Sequence, residues 1–352
     1  MRKIIFKTSL FIVPFMVLYL FTNSFYSKEK GDLFRLGYVF DDKSYDKIDL
    51  FKNEYESSRL FRNLSEIDLT DNNAFDVLTI GDSFSEQDNT GYQNFLASDN
   101  VKILHVDVFF HKNAIETINA FLNGDVLDKI KTKYIILESV ERSFVNRREF
   151  DKKKIININN LLTLIVNHKE KLENDPKSND VKEDFFSREI IKFPLCNVLY
   201  NFSDNAINSV TYCVKTKRNL FSTNNNRLLF FNDDLKCVND NNDELAVAQL
   251  NTKLNDLSAK LVKKGIKLIV LPCPDKFDFY YDDIVDNAKY TKPNFFEIFQ
   301  KQPKKYLFVN SKKILKQESR DTKDIYFYDD THWSPNASKI IAKELKQIIN
   351  EN

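Results

Sequence analysis

The 352-residue sequence predicts an α/β fold: a parallel sheet flanked by helices, with an inserted cap region and an N-terminal transmembrane helix. Three observations lead there. Short apolar runs alternate with amphipathic, helix-length stretches on both sides of a central break, as expected of parallel strands joined by crossover helices. Between those parts, 151–243 is rich in lysine and asparagine and loses the alternation. Residues 9–21 (SLFIVPFMVLYLF) carry no charge and follow Arg2, Lys3 and Lys7.

Counted from Ile4, the N-terminal apolar segment is long enough to span a bilayer. Its basic flank places the N-terminus in the cytoplasm and the remaining chain outside. No small-x-small cleavage site follows, so 1–27 reads as an uncleaved signal anchor. A cleaved signal peptide and a buried helix of the domain are the alternatives. Residues 28–73 read as a polar stalk and approach segment without a clear period.

The first part of the domain covers 74–150. Strands are expected at 76–80, 101–110 and 133–140, with helices through 93–96 and over 113–127, where Ile115, Ile118, Phe121 and Leu122 recur at helical spacing. The insertion, 151–243, holds a lysine-rich helix candidate at 152–172, a charged linker at 173–184 and a possible hairpin. Cys213 and Cys237 are equidistant from Asn225, so a hairpin turning there would set them opposite each other; a disulfide or two free buried cysteines both fit. The second part, 244–352, opens with a helix over 244–264 capped by Gly265. Strands follow at 266–271, 304–309 and 324–328. A closing helix over 335–349 buries Ala337, Ile340, Ile341, Leu345 and Ile348.

Composition excludes several classes. Lysine plus arginine (52) balance aspartate plus glutamate (51), so no basic surface points to nucleic acid. With 6 glycines and neither GxxxxGK[ST] nor GxGxxG, no phosphate-cradling loop is expected. No CxxC or HxxxH spacing supports a metal site, and no cofactor is called for.

The chemistry-bearing residues lie at two loops. Gly81-Asp82-Ser83 directly follows the apolar run Val77-Leu78-Thr79-Ile80, which puts a serine where a strand ends. Some 250 residues later, His332 precedes Ser334-Pro335, a good N-cap followed by a good first helical residue. A serine nucleophile, a histidine base and an orienting aspartate would fit these positions. Two aspartates compete for the third role. If 324–330 stays extended, Asp330 and His332 point the same way by the two-residue period; if a helical turn begins early, Asp329 is the neighbour. The DIYFY run favours extension and Asp330. His332 lies near the positive end of the closing helix, which disfavours imidazolium, and a carboxylate would offset this.

The order of GDS near the first strand and D-x-H near the C-terminus resembles the SGNH (GDSL-like) hydrolase superfamily. Asp330-Thr331-His332-Trp333-Ser334 is similar to the D-T-H-W motif of its alginate O-acetyltransferase group. Glu138-Ser139-Val140-Glu141-Arg142 resembles that group's strand-end E-x-x-x-R segment, and Pro274-Asp275-Lys276 its P-x-K turn. The resemblance covers roughly 74–148 and 244–350. It departs in two ways: in alginate O-acetyltransferases the D-x-H motif precedes the serine, and the superfamily's G-x-N-D block has no clear match here.

The resemblance implies an SGNH-like fold and O-acetyl transfer to an exopolysaccharide or cell-wall glycan. Ser83 would be acylated, His332 would act as base then acid, and Asp330 (alternatively Asp329) would orient it. Arg142 is a candidate for the oxyanion or an acidic glycan, or equally for a structural salt bridge; Trp333 for stacking on a sugar or equally for packing against the final helix; Tyr92 and Gln93 for the pocket lining; Asp275 and Lys276 read as a solvated turn, with a place at the border of the site as the alternative. The implied partners are a glycan acceptor and a multipass membrane acyltransferase as acetyl donor, with the catalytic domain periplasmic or otherwise extracytoplasmic. An esterase of the same fold and an inactive glycan-binding module are the alternatives.

Overall fold

The computed structural model describes residues 2–25, 31–39, 44–67, 74–174, 188–223 and 225–352. Six parallel strands form the central sheet: β1 (Arg62–Asn63), β2 (Ala74–Ile80), β3 (Ile103–Val106), β4 (Lys131–Val140), β7 (Lys267–Cys273) and β8 (Leu307–Phe308). The antiparallel hairpin β5 (Thr211–Lys215) and β6 (Arg227–Phe231) stands apart from it. The sheet order is β1-β3-β2-β4-β7-β8.

A sheet covered on both faces needs strands that are apolar throughout, and β2, β4 and β7 meet that demand. Leu78, Ile80, Ile135, Leu137, Leu268 and Val270 share one core with the helices Ala114–Asn123, Glu244–Val262 and Phe295–Lys301. Val77, Ile136, Ile269 and Leu271 share the other with the helix Tyr92–Ala97 and the closing helix Pro335–Glu351. Strand order turns back beside β2: β3 lies on one side of it and β4 on the other. In open parallel sheets, ligands bind beyond the strands' carboxyl ends at such a switch point. Ser83 follows the carboxyl end of β2.

Several expected elements differ. The run 101–110 yields only the four residues of β3, followed by a 3-10 turn at Val108–Phe110. The 324–328 run is not a strand. Its polar backbone groups are spent across a tight loop: Ser334 N–H donates to Ile325 O (2.8 Å), Phe327 N–H to His332 O (3.1 Å) and Asp324 N–H to Leu220 O (3.1 Å). A single antiparallel bridge joins Tyr326 to Trp333. The aromatic alternation that suggested a strand is a loop walled in on both sides.

The described residues of the expected insertion divide between the two faces of the sheet. The helix Ile158–Asn174 places Leu161 and Ile165 in the core beneath the sheet, whereas the hairpin packs into the core on the opposite face. Cys213 pairs with Leu229 across the hairpin, and Cys237 falls in the helical turn beyond β6. All four cysteines are free, so the disulfide alternative is corrected. The turn is displaced because the ladder closes at Lys215–Arg227, leaving the Asn-rich stretch just ahead of β6.

At the N-terminus, Arg2–Phe25 forms one helix with Pro14 inside it. Its first 20 residues are long and apolar enough to cross a membrane, and none of that window is buried within the protein.

Candidate active site

The serine loop is fixed from beneath. Asp82 N–H donates to Glu138 Oε2 (2.9 Å), and so does Ser85 Oγ (2.8 Å). Asp82 Oδ2 in turn accepts from Val140 N–H (2.8 Å) and from the Arg147 guanidinium (2.9 Å). Burial, and then the nearby Asp82 charge, push the Glu138 carboxyl well above the ordinary carboxylate range. Glycine at 81 is required by close approach: a Cβ there would overlap Glu138 Oε2 and Ser85 Oγ and lie 2.8 Å from Glu138 Cβ. Gly81→Ala is therefore expected to lower stability by about 1–3 kcal/mol, the usual cost of overpacking, read as a lower denaturant midpoint. Ser83, the first residue of a 3-10 turn, is exposed. The amide at such a position has no partner within its turn.

The histidine loop meets this turn. The His332 ring packs on Phe84, the residue after Ser83, with centroids 5.0 Å apart. Gln87 Nε2 donates to Trp333 O (2.8 Å), a second tie between the two loops. No hydrogen bond joins Ser83 Oγ to His332; His332 Nε2 is buried without a partner.

Asp330 Oδ1 lies 2.6 Å from His332 Nδ1 and also accepts from His332 N–H (3.1 Å). A carboxylate only accepts, so Nδ1 carries the hydrogen and Nε2 keeps its lone pair. The pairing comes from an aspartate turn closing on the backbone two residues on, not from an extended strand. Burial works against the charged imidazole, but the Asp330 hydrogen bond and charge, with Asp32 behind them, leave the His332 pKa above its ordinary value. Asp330 is correspondingly held well below the usual carboxylate range: burial opposes this, and the His332 bond and Lys47 outweigh it. Asp329 is engaged elsewhere, accepting from Gly31 N–H (2.9 Å).

The remaining candidates sort by burial and partners. Trp333 is fully buried against Phe84 and Tyr92 (centroids 5.3 and 6.5 Å), so it is a core residue and no sugar platform. Tyr92 and Gln93 are also fully buried; the Tyr92 hydroxyl meets Ser85 Oγ and Gln93 Nε2 donates to Ser85 O (2.7 Å), so they brace the serine turn instead of lining a pocket. Arg142 is held by Asp275 (2.8 Å) and Asp234 (3.2 Å), which leaves little of its charge for an oxyanion. Lys276 is buried behind the histidine loop and donates to Phe327 O, Tyr328 O and Asp330 O at 2.7, 2.9 and 3.0 Å. Burial pulls it down to about 7; three carbonyl acceptors match the three hydrogens of the ammonium form.

Sequence reasoning missed Asp32 and Lys47, which lie in a stretch with no motif or period to mark them. Asp32, Asp330 and His332 offer possible ligand atoms within 4.8 Å of one another. Those atoms are already taken up: Asp330 by His332, and Asp32 by Thr331 N–H and Oγ1 (3.0 and 2.8 Å). Two surface clefts, of about 320 and 340 Å³, are lined by neither Ser83 nor His332.

Residues 225–352 match the family model described as "SGNH hydrolase-like domain, acetyltransferase AlgX". The match spans a little over a third of the chain and takes in Lys276, Asp330 and His332 but not Ser83. No curated protein and no solved structure matches the chain. Residues 225–352 are thus similar to the SGNH hydrolase-like domain of acetyltransferase AlgX, and a parallel sheet flanked by helices accords with that likeness.

Proposed function

We propose that this protein is a membrane-anchored, extracytoplasmic O-acyltransferase that moves an acetyl group onto a polysaccharide or cell-wall glycan through an acyl-Ser83 intermediate. The observation that carries the reading is the Asp330–His332 pair at 2.6 Å, which lies in the AlgX-like part of the chain and is seated on the residue next to Ser83.

His332 Nε2 would take the proton from Ser83 Oγ as Oγ attacks the acyl carbonyl of the donor. The tetrahedral intermediate collapses, the donor oxygen leaves with that proton, and acetyl-Ser83 remains. An acceptor hydroxyl then gives its proton to Nε2 while its oxygen takes the acetyl group, and Ser83 regains its hydrogen. The Ser83 amide is the available oxyanion donor. Hydrogen bonds between nucleophile and base often tighten only once substrate is bound, and the first step requires that Ser83 Oγ come within hydrogen-bond reach of the unpartnered His332 Nε2. Acetyl-CoA is cytoplasmic, so the donor would be delivered by a multipass membrane acyltransferase. The apolar helix Arg2–Phe25 would hold the domain at that membrane face.

One observation favours hydrolysis. The described residues of 151–243 make no hydrogen bond or ring contact with Ser83 or His332, and Ser83 is exposed, so water could reach an acyl-serine. The test is incubation of the chain from residue 28 with an acetyl donor and several glycan oligomers, followed by mass spectrometry. Acetylated oligomer supports transfer; free acetate alone with every oligomer assigns an esterase.

The pH profile follows from the pair. Neutral His332 is the working base, and its carboxylate neighbours raise its pKa. Activity is therefore expected to be low in acid and to rise with a midpoint above 6.5, the ordinary value. A kcat/KM profile reads this directly.

A further inference from the structure

We infer that the segment following the apolar helix, 31–39 and 44–55, is a positioning clamp for the Asp330–His332 loop, in which Lys47 serves as the standing counter-charge of Asp330. The inference rests on the Ser83–His332–Asp330 reading and assigns roles to residues outside it.

Four consecutive residues of the loop are held by this segment. Tyr328 N–H donates to Tyr45 OH (3.0 Å). Asp329 accepts from Gly31 N–H at its carboxylate (2.9 Å), and from Leu33 and Phe34 N–H at its carbonyl (3.0 and 3.4 Å). Lys47 Nζ donates to Asp330 Oδ2 (3.4 Å), and Thr331 donates twice to Asp32. A loose stalk would make no such set. Leu33 and Phe34 are buried in the same core as Tyr326 and Tyr328, so the segment is seated and not draped. A Cβ at Gly31 would also collide with the Asp329 backbone, which makes the first contact dependent on glycine.

The electrostatic need explains why a lysine stands here. Asp330 gives Oδ1 to His332, but His332 must be neutral to act as base, and a buried carboxylate without a cation is costly. Lys47 supplies a cation that does not come and go with the catalytic proton. Its position is set locally: Asp46 caps its helical turn, accepting from Ile48 and Asp49 N–H (2.8 and 3.2 Å). Its ammonium lies 5.3 Å from the centre of the Phe327 ring, which Phe51 also abuts. Asp32 has the opposite effect, adding negative charge beside the pair. The charged groups facing His332 and Asp330 are Asp329 on their own loop, Asp32 and Lys47 with Tyr55 on the clamp, Arg142 after β4, and Lys276 after β7.

Histidine-labelled full-length protein in detergent tests this without turnover, with the His332 resonance identified by its loss in His332→Gln. Removing the cation strengthens the hold of Asp330 on imidazolium, so Lys47→Met is expected to raise the His332 midpoint by about one pH unit. Lys47→Arg should restore it. Asp32→Asn removes a carboxylate and should lower the midpoint by a similar amount. The kcat/KM acid limb should move the same way in each variant. Unchanged midpoints in Lys47→Met and Asp32→Asn, with folding intact by circular dichroism, would overturn the clamp. Shifted midpoints in a protein that acylates nothing would leave the clamp standing and remove the acyl-transfer reading instead.

Discussion

Ser83→Ala is expected to abolish acyl chemistry, with a loss on the order of 10⁶ in turnover, as seen when the nucleophile of a serine triad is removed. The effect should be almost wholly chemical. Ser83 is exposed and its side chain makes no hydrogen bond among the described residues, so deleting Oγ strands no buried group there and leaves the Asp82–Glu138–Arg147 support intact. The measurement is acetyl release from p-nitrophenyl acetate, with the denaturant midpoint as control. Intact-protein mass should show an acetyl group on the wild type during turnover and none on the variant. Full activity in Ser83→Ala would remove Ser83 from the mechanism.

What could be read in the sequence, and what could not, divides along a physical line. Strands buried on both faces must be apolar throughout, so β2, β4 and β7 announced themselves, as did the amphipathic helices over them. The two loops were legible because Gly81-Asp82-Ser83 ends a strand and Ser334-Pro335 opens a helix, and both are local signals. Burial of single side chains is not local. Trp333, Tyr92 and Gln93 flank the motif residues in sequence, yet they point into the core that holds the two loops together. The alternation in 324–328 is the same whether its alternate side chains meet helices or other loops, so it passed for a strand.

The clamp was invisible for another reason. Asp32, Tyr45 and Lys47 act one at a time through contacts nearly three hundred residues away in sequence, with no period among them. The D-T-H-W motif gives the composition of the loop, but nothing in that motif says what stands behind it. The hairpin shows the same limit: the Asn-rich stretch is turn-like in composition, but the ladder register is decided by the partners of Leu228, Leu229 and Phe230 in the core.

Asp330→Asn is expected to cost on the order of 10⁴ in turnover, the loss found when the orienting carboxylate of a serine triad becomes an amide. The amide nitrogen would present a donor to Nδ1, favouring the tautomer whose lone pair faces Asp330 and whose Nε2 carries the hydrogen, which is useless as a base. It would also remove the charge that raises the His332 pKa, so the residual activity should begin its rise at lower pH. Asp329→Asn should behave differently. An amide oxygen can still accept from Gly31 N–H, and burial already pushes the Asp329 carboxyl upward, so loss of its charge is tolerated. A modest loss without a shift of the acid limb is the expected outcome there. Both variants belong in one kcat/KM profile, because the midpoint separates them even where rates alone do not. A larger loss from Asp329→Asn, accompanied by the downward shift, would transfer the orienting role to Asp329 and break the link between the 2.6 Å contact and catalysis.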